Sequence, residues 1–136
     1  MSLLARFRKA QPAPTSYDDD GVLPVLVTAA DPARADSAVL AEAASRGVDL
    51  TQRLLVRHHL VLPGDAVERA GELLGQDGYQ LTVDGDGQVR AWRTQVLTAM
   101  SASQERSRRA GLAQRLGGDV LGWDACGPSG TTRPAG

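Results

Sequence analysis

The order of the secondary-structure signals after residue 52 constrains the fold of this chain more than any other feature of its sequence. The run "RLLVRHHLVLP" predicts a strand over 53–62, because its apolar residues recur at every second position. A helical pattern follows. Two more strand patterns are then joined by "DGDG" at 84–87, a hairpin turn whose glycines tolerate positive φ. A second helical pattern covers 101–116, and a last strand covers 119–125.

This order of strand, helix, strand, strand, helix, strand predicts an α+β fold of the split βαβ, or ferredoxin-like, type. In such a fold an antiparallel four-stranded sheet carries both helices on one face. Right-handed crossovers give the spatial order 4-1-3-2, which makes the strand over 53–62 central. Two capping boxes mark the predicted helix starts, Asp65 with Glu68 and Ser101 with Gln104.

Two further elements are predicted in front of this unit. The run "VLPVLVT" predicts a strand over 22–28, and a weak apolar stripe predicts a helix over 32–46. Asp31 suits the N-cap of that helix and Pro32 suits its first position. The fold is therefore expected to be the four-stranded unit with an added N-terminal strand and helix.

The two ends of the chain differ in composition from the part between them. We expect a domain over 21–126, because the flanking segments are rich in Pro, Gly, Ser, Thr or acidic residues and lack periodicity. Flexible tails are accordingly expected over 1–20 and 127–136. The alternative for the first tail is a short basic amphipathic helix with one face formed by Leu3, Leu4 and Phe7.

Charge and cysteine content narrow the classes of protein to consider. The formal net charge is −1, so the total charge does not demand nucleic acid or an anionic membrane as a partner. No signal peptide is visible, and the longest apolar run is too short to span a bilayer. The single cysteine, Cys126, excludes an internal disulfide and fits a reducing compartment. We therefore expect a cytoplasmic protein.

The chain's two histidines, His58 and His59, are adjacent in the predicted strand. Adjacent strand residues point to opposite faces, so these two side chains cannot readily share one metal ion. No cluster of His, Asp and Glu has the spacing of metal ligands either. We expect no metal site, with His58 in the core and hydrogen-bonded to a neighbour, and with His59 solvated on the open face.

Catalytic motifs are missing from the sequence. It contains no nucleophile-elbow spacing and no phosphate-binding loop, and "DGDGQVR" lacks the Asp pattern and final Glu of a calcium loop. The sequence therefore predicts no catalytic residue, no cofactor and no enzymatic activity.

RNA binding has to be weighed, because RNA-recognition motifs share the predicted fold and stack bases on aromatic residues of the central strands. The open face here offers Arg57, His59, Arg90 and Trp92, with one aromatic residue among them. Either Trp92 or Arg93 must turn inward, and we expect Trp92 to be buried and Arg93 to be exposed. Direct RNA binding is therefore not favoured.

Three segments, in order, resemble the regulator of ribonuclease E activity B family, the ribonuclease E inhibitor B-like domains. They are "VLAEAASRGVDLTQRLLVRHHLVLP", "GYQLTVDGDGQVRAWRTQVLT" and "GGDVLGWDA". The resemblance covers about residues 36–125, and its most specific part is the Gly-Trp-acidic ending. It implies a bacterial ferredoxin-like protein that is not an enzyme and that restrains the endoribonuclease governing mRNA turnover by binding to it.

The resemblance also assigns structural residues. His58, Arg93, Trp123 and Asp124 match the family pattern, with Trp123 in the core or as a half-buried anchor, and an ion pair between Arg93 and Asp124 is expected. The segment 49–125 holds nine arginines against ten acidic residues. This balance does not support inhibition by mimicry of RNA charge.

The expected contact surface for a protein partner is the open sheet face around Arg57, His59 and Arg90, and second to it the outer face of helix 101–116 with Arg106 and Arg108. Two alternatives stay open. One is a dimeric ferredoxin-like domain that binds or converts a small molecule in a pocket around His59. The other is an oligomerisation module. A homo-oligomer is possible under each of these hypotheses.

Overall fold

A computed structural model describes residues 15–128 of the chain, so the expectations for 1–14 and 129–136 lie outside the described residues. Within the described part, five strands and three α-helices follow one another, together with a short 3-10 turn at Gly64–Ala66. They are β1 (Val25–Ala29), α1 (Asp36–Ser45), β2 (Arg53–Val61), α2 (Val67–Gln76), β3 (Gln80–Gly85), β4 (Gln88–Val96), α3 (Ala99–Arg115) and β5 (Asp119–Cys126).

The sheet is antiparallel and has the order β1-β5-β2-β4-β3. The α+β class is confirmed, and the four strands from Arg53 onward lie in the predicted order 4-1-3-2. The predicted count of four strands is wrong, because β1 does not stand apart from the sheet. It pairs with β5, through Thr28 opposite Asp124 and Ala29 opposite Trp123, and becomes an edge strand.

The local signals in the sequence account for most of the element ends. The turn between β3 and β4 uses positive φ at Gly85, Asp86 and Gly87, as the "DGDG" pattern predicts. The predicted starts of two helices are displaced. Helix α1 begins at Asp36 and not at Pro32, because the Asp31 carboxylate accepts from the Ala33 amide in a separate turn.

The N-cap of helix α3 lies three residues before the cap that the sequence indicated. Its N-cap is Thr98, whose hydroxyl accepts from the Ser101 amide while Ser101 Oγ accepts from the Thr98 amide. Ser101 is thus the N3 residue of a capping box and not its N-cap. At α2 no side chain caps the helix, so the predicted box of Asp65 with Glu68 is not formed.

All three helices pack on one face of the sheet, which we call the helix face. Two apolar clusters fill the space between them. The first cluster contains α1 and β1 residues with Leu54, Val56 and Trp123, and the second contains α2 residues with Leu60 and Val89. His58 lies in β2 between Val56 and Leu60, so a polar side chain stands where the two clusters meet.

The facing of β4 is the reverse of the expectation. Trp92 lies opposite Arg57 and shares the face away from the helices, whereas Arg93 lies opposite Val56 on the helix face. A buried acceptor explains the inward arginine, because Arg93 Nη2 donates to the Glu105 carboxylate of α3. Arg93 is nevertheless only partly buried, with 32% of its side chain exposed.

A bulge in β5 changes which residues of that strand are buried. The register between β2 and β5 shifts after His59 opposite Gly122, and Gly122 has φ +139°. A regular strand would put Leu121 on the core side with Trp123, but Leu121 is 52% exposed, while Trp123 and Ala125 are buried.

Candidate functional site

The sheet face away from the helices, which we call the open face, brings together the residues that the sequence singled out as a contact surface. The register places Arg57 opposite Trp92, His59 opposite Arg90 and Leu55 opposite Thr94, all pointing away from the helices. Asp124 lies opposite Arg57 on the other side of β2. The face is therefore charged and polar near its centre, with one aromatic side chain.

Asp124 holds two basic side chains of β2 together. Arg57 donates to its two oxygens through Nε at 2.7 Å and Nη2 at 2.8 Å, and His59 Nε2 lies 2.9 Å from Oδ2. Burial by itself raises the pKa of Asp124, but the hydrogen bonds and charges of His59 and Arg57 outweigh burial and hold that pKa below its usual range. The same contact raises the pKa of Arg57. His59 is thus half-buried and bonded, and the expectation that it is solvated is wrong.

Residues 15–20, which we call the N-terminal segment, lie against this face, although the sequence placed them in a tail. Asp19 is their anchor: one carboxylate oxygen accepts from Arg57 Nη1 at 3.0 Å and the other from Arg90 Nε at 2.6 Å. The Asp19 side chain is only 1% exposed. Arg90 also donates to Asp84 at the start of the hairpin turn.

Backbone atoms of the N-terminal segment supply its other contacts. The Tyr17 amide donates to Thr94 Oγ1 at 2.8 Å, and Arg53 Nε donates to the Thr15 carbonyl at 2.7 Å. A cavity of about 350 Å³ lies beside the segment and is lined by Tyr17 and Trp92 among others. Trp92 itself is half-buried and donates through Nε1 to Thr82 Oγ1 at 2.8 Å.

On the helix face, a second polar group lies at the meeting point of the two apolar clusters. The Glu105 carboxylate accepts from Arg93 and has its other oxygen 3.6 Å from His58 Nε2, which is too long for a hydrogen bond. Burial raises the pKa of Glu105, but the facing His58, Arg93 and Tyr79 side chains outweigh it and bring the pKa to about 2. Burial lowers the pKa of His58 below its usual value.

Arg109 completes this polar group and was not singled out by the sequence. Its side chain is 3% exposed, its guanidinium lies 4.6 Å from the centre of the Tyr79 ring, and Nη2 is 3.4 Å from Asp77. Arg93 also lies over the Tyr79 ring, at 4.4 Å. Among the described residues, the His58 ring nitrogens have no hydrogen-bond partner, so the expected bond to a neighbour is not formed.

The Gly-Trp-acidic ending is divided between the two faces. Trp123 is in the core and donates through Nε1 to Asp36 Oδ1 at 3.1 Å, and Asp36 also pairs with Arg106 at 2.6 Å. Asp124 is on the open face. Because Arg93 points to the helix face, the expected ion pair between Arg93 and Asp124 does not form.

The second expected contact surface separates into two parts. Arg106 is paired with Asp36, whereas Arg108 is exposed beside a groove of about 630 Å³ between α2 and α3. The small-molecule alternative predicts a pocket around His59, but His59 does not line that groove.

Three residues of these polar groups were not singled out by the sequence: Asp19, Asp36 and Arg109. No local pattern marks them, since each contacts a partner at least 30 residues away in the chain.

Over residues 15–128, no group of three or more His, Cys, Asp or Glu side chains could hold a metal ion. In the same part of the chain, no helix is long and apolar enough to cross a membrane.

The single cysteine, Cys126, is the last residue of β5 and is buried opposite Leu55. Burial raises the pKa of its thiol to about 11, which keeps it protonated and unreactive.

Comparison with known proteins gives a match to a protein family. The family model described as "Regulator of ribonuclease activity B" matches residues 33–125, more than half of the chain. No curated protein and no solved structure matches. The matched range runs from the turn before α1 to the penultimate residue of β5, so it contains the whole charged centre of the open face except Asp19.

Proposed function

The chain belongs to the family of regulators of ribonuclease activity B, and from that premise we propose that it is a non-catalytic protein that binds a ribonuclease E-type endoribonuclease and slows its cleavage of RNA. Family membership is the observation that carries this proposal. It also supports our interpretation of the four strands from Arg53 onward, with α2 and α3, as a ferredoxin-like unit to which β1 and α1 are added.

The open face is the contact surface that we favour. It contains a half-buried tryptophan, Trp92, next to arginines. Tryptophan and arginine are among the side chains that most often contribute most of the binding energy of a protein interface. Its charges are already balanced internally, because Arg57 pairs with Asp124 and Arg90 pairs with Asp84. A partner would therefore gain mainly from apolar contact and hydrogen bonds, and not from a large unbalanced charge.

This balance distinguishes protein binding from competition for RNA. A surface that imitates or neutralises many phosphates gives binding that weakens steeply as salt increases. A mostly apolar and hydrogen-bonded interface weakens gently, since salt screens only its few exposed charges. We expect inhibition of cleavage by this protein to change little between low and physiological salt.

The experiment combines calorimetry with a cleavage assay. The purified protein is titrated into the ribonuclease, and the rate of cleavage of a defined RNA is measured in parallel at several salt concentrations. Trp92→Ala should weaken both binding and inhibition, because it removes the aromatic side chain of the open face. Met100→Ala is the control, since Met100 is an exposed apolar residue of α3 and not of the sheet.

Three outcomes would count against the proposal. Absence of binding together with an unchanged cleavage rate would mean that the family function does not extend to this chain. Direct binding of the RNA substrate, with a steep salt dependence, would replace protein binding by RNA binding. Equal effects of Trp92→Ala and Met100→Ala would leave the ribonuclease as partner but remove the open face as its contact surface.

A further inference from the structure

The N-terminal segment binds to the open face through contacts of the kind that a peptide ligand makes. Asp19 places one carboxylate between guanidinium groups from two neighbouring strands, Arg57 of β2 and Arg90 of β4, with one oxygen for each. Charge-assisted bonds of this kind are about twice as strong as neutral ones. The carboxylate is almost fully enclosed, so the face already contains a formed binding site for one acidic side chain.

The other contacts of the segment depend little on its sequence. The Tyr17 amide and the Thr15 carbonyl are backbone groups, and they bond to Thr94 and Arg53 of the sheet. The side chains of Asp18 and Asp20 are exposed. An extended backbone with one correctly spaced carboxylate is therefore sufficient for these contacts, and a segment of another protein can supply both.

The seated segment also limits what else can reach the face. With Asp19 in place, the side chains of Arg57 and Arg90 are only 15% and 20% exposed. Thr94 is engaged by the backbone of Tyr17. A partner that uses these groups must first displace residues 15–20.

We propose that the open face is a receptor site for an extended acidic segment of a protein partner, and that residues 15–20 occupy this site in cis as a competitor. This rests on the proposed function only for the identity of the partner, the ribonuclease. The receptor site and its internal competitor are inferred from the contacts of residues 15–20 with the open face.

The neighbouring carboxylates favour an acidic peptide over RNA. Arg57 shares its guanidinium with Asp124, and Arg90 shares its guanidinium with Asp84. Displacing Asp19 therefore frees room for one carboxylate, and the two remaining aspartates would repel the successive phosphates of a polyanion. A partner segment with one buried acidic residue and exposed flanking residues matches this arrangement.

The first test uses the full chain and asks whether Asp19 holds the segment in place. Asp19→Ala should increase the hydrogen-exchange rate of the Tyr17 amide, followed by NMR, because the anchor two residues away is lost. Asp18→Ala is the matched control, with the same charge change at an exposed neighbour. Arg90→Gln removes the anchor from the other side and should also increase the rate. Unchanged exchange in both Asp19→Ala and Arg90→Gln would overturn the proposal.

The second test asks whether the vacated site accepts a segment in trans. A fluorescent synthetic peptide with the sequence of residues 15–21, "TSYDDDG", is titrated into the full-length variants at low salt. Since a tethered competitor acts at an effective concentration on the order of millimolar, Asp19→Ala should bind the peptide at least about tenfold more tightly than the parent or Asp18→Ala. Adding Arg90→Gln to Asp19→Ala should abolish the gain.

Two results of the second test would overturn the proposal. One is equal peptide affinity for Asp19→Ala and the parent. The other is binding of a single-stranded RNA oligomer, and not of the peptide, by Asp19→Ala. Neither test contains the ribonuclease, so failure of the receptor site is distinguishable from failure of the proposed function in the calorimetric experiment.

Discussion

Arg57 donates to both carboxylate oxygens of Asp124 across the adjacent strands β2 and β5, at 2.7 and 2.8 Å. The two residues are 67 positions apart in the chain and belong to two of the three segments by which the family is recognised from the sequence. A bidentate arginine–carboxylate pair fixes the relative orientation of its partners as well as their distance. The pair therefore fixes the registration of the two strands on the open face.

Asp124→Asn should lower the free energy of unfolding by about 1–3 kcal/mol, because Arg57 would keep a half-buried charge with less compensation. Glu72→Gln is the control: its pair with Arg69 is exposed on α2, so its loss should stay within about 0.5 kcal/mol. Urea denaturation of both variants at neutral pH measures the difference. Equal effects of the two substitutions would contradict a structural role for the Arg57–Asp124 pair.

The sequence was sufficient to predict the order of the four strands from Arg53 onward, the hairpin turn and the opposite facing of His58 and His59. Each of these depends on local information: alternation of apolar residues, glycines at positive φ and the two-residue period of a strand. Family resemblance then connected segments that local patterns leave unrelated. The helix starts were less well predicted, since Asp31 and Thr98 compete with neighbouring residues for the capping role.

The errors have a common physical origin in pairing between distant residues. Trp92 was expected inside on hydrophobicity alone, but Glu105 of α3 provides the acceptor that turns Arg93 inward. The N-terminal segment reads as a solvated tail, yet Asp19 meets Arg90, 71 positions later in the chain. Local alternation also fails in β5, where a bulge beside Gly122 leaves Leu121 exposed.

Trp123→Ala should lower the free energy of unfolding by about 3–5 kcal/mol, because a 2% exposed indole in the first apolar cluster would leave a large cavity. The change also removes the bond from Trp123 Nε1 to Asp36. The control is Trp92→Ala, which removes the chain's other tryptophan from a half-buried position and should cost less. Chemical denaturation midpoints decide the point, and a smaller loss for Trp123→Ala than for Trp92→Ala would contradict the core assignment.

His58 should make stability depend on pH in mildly acidic solution. Its pKa is lowered in the folded protein by burial, so the unfolded chain binds a proton more readily once the pH falls below the unfolded value of about 6.5. The free energy of unfolding should therefore decrease as the pH falls from about 7 toward the folded pKa, by up to about 1.4 kcal/mol per pH unit for one proton. Below the folded pKa, both states are protonated and this contribution stops changing.

His58→Gln should reduce that slope between about pH 7 and pH 5, measured by urea denaturation at half-unit steps. His59→Gln provides the comparison, because it removes the only other histidine of the chain. Glu105 contributes at lower pH: with its folded pKa at about 2, its stabilisation is present above about pH 4.5 and is lost as the pH falls toward 2. A slope above pH 5 that survives His58→Gln unchanged would show that another group is responsible.

Gly122→Ala should be strongly destabilising, by at least about 2 kcal/mol, for two reasons that act together. Gly122 has φ +139°, a conformation that side chains rarely adopt, and a Cβ there would lie 2.5 Å from the Ala29 carbonyl oxygen of β1. The backbone of β1 cannot move away without breaking its pairing with β5, so the edge strand should loosen. The matched control is Gly111→Ala in α3, where a Cβ meets nothing within 4 Å and φ is ordinary. That substitution should stabilise the protein by about 0.5–1 kcal/mol, since alanine is the better helix former.

The midpoint temperature of thermal denaturation should thus fall for Gly122→Ala and rise for Gly111→Ala, and hydrogen exchange should accelerate in β1 for Gly122→Ala alone. A shift of the same sign and size in both variants would mean that the close approach of β1 to Gly122 does not constrain the fold.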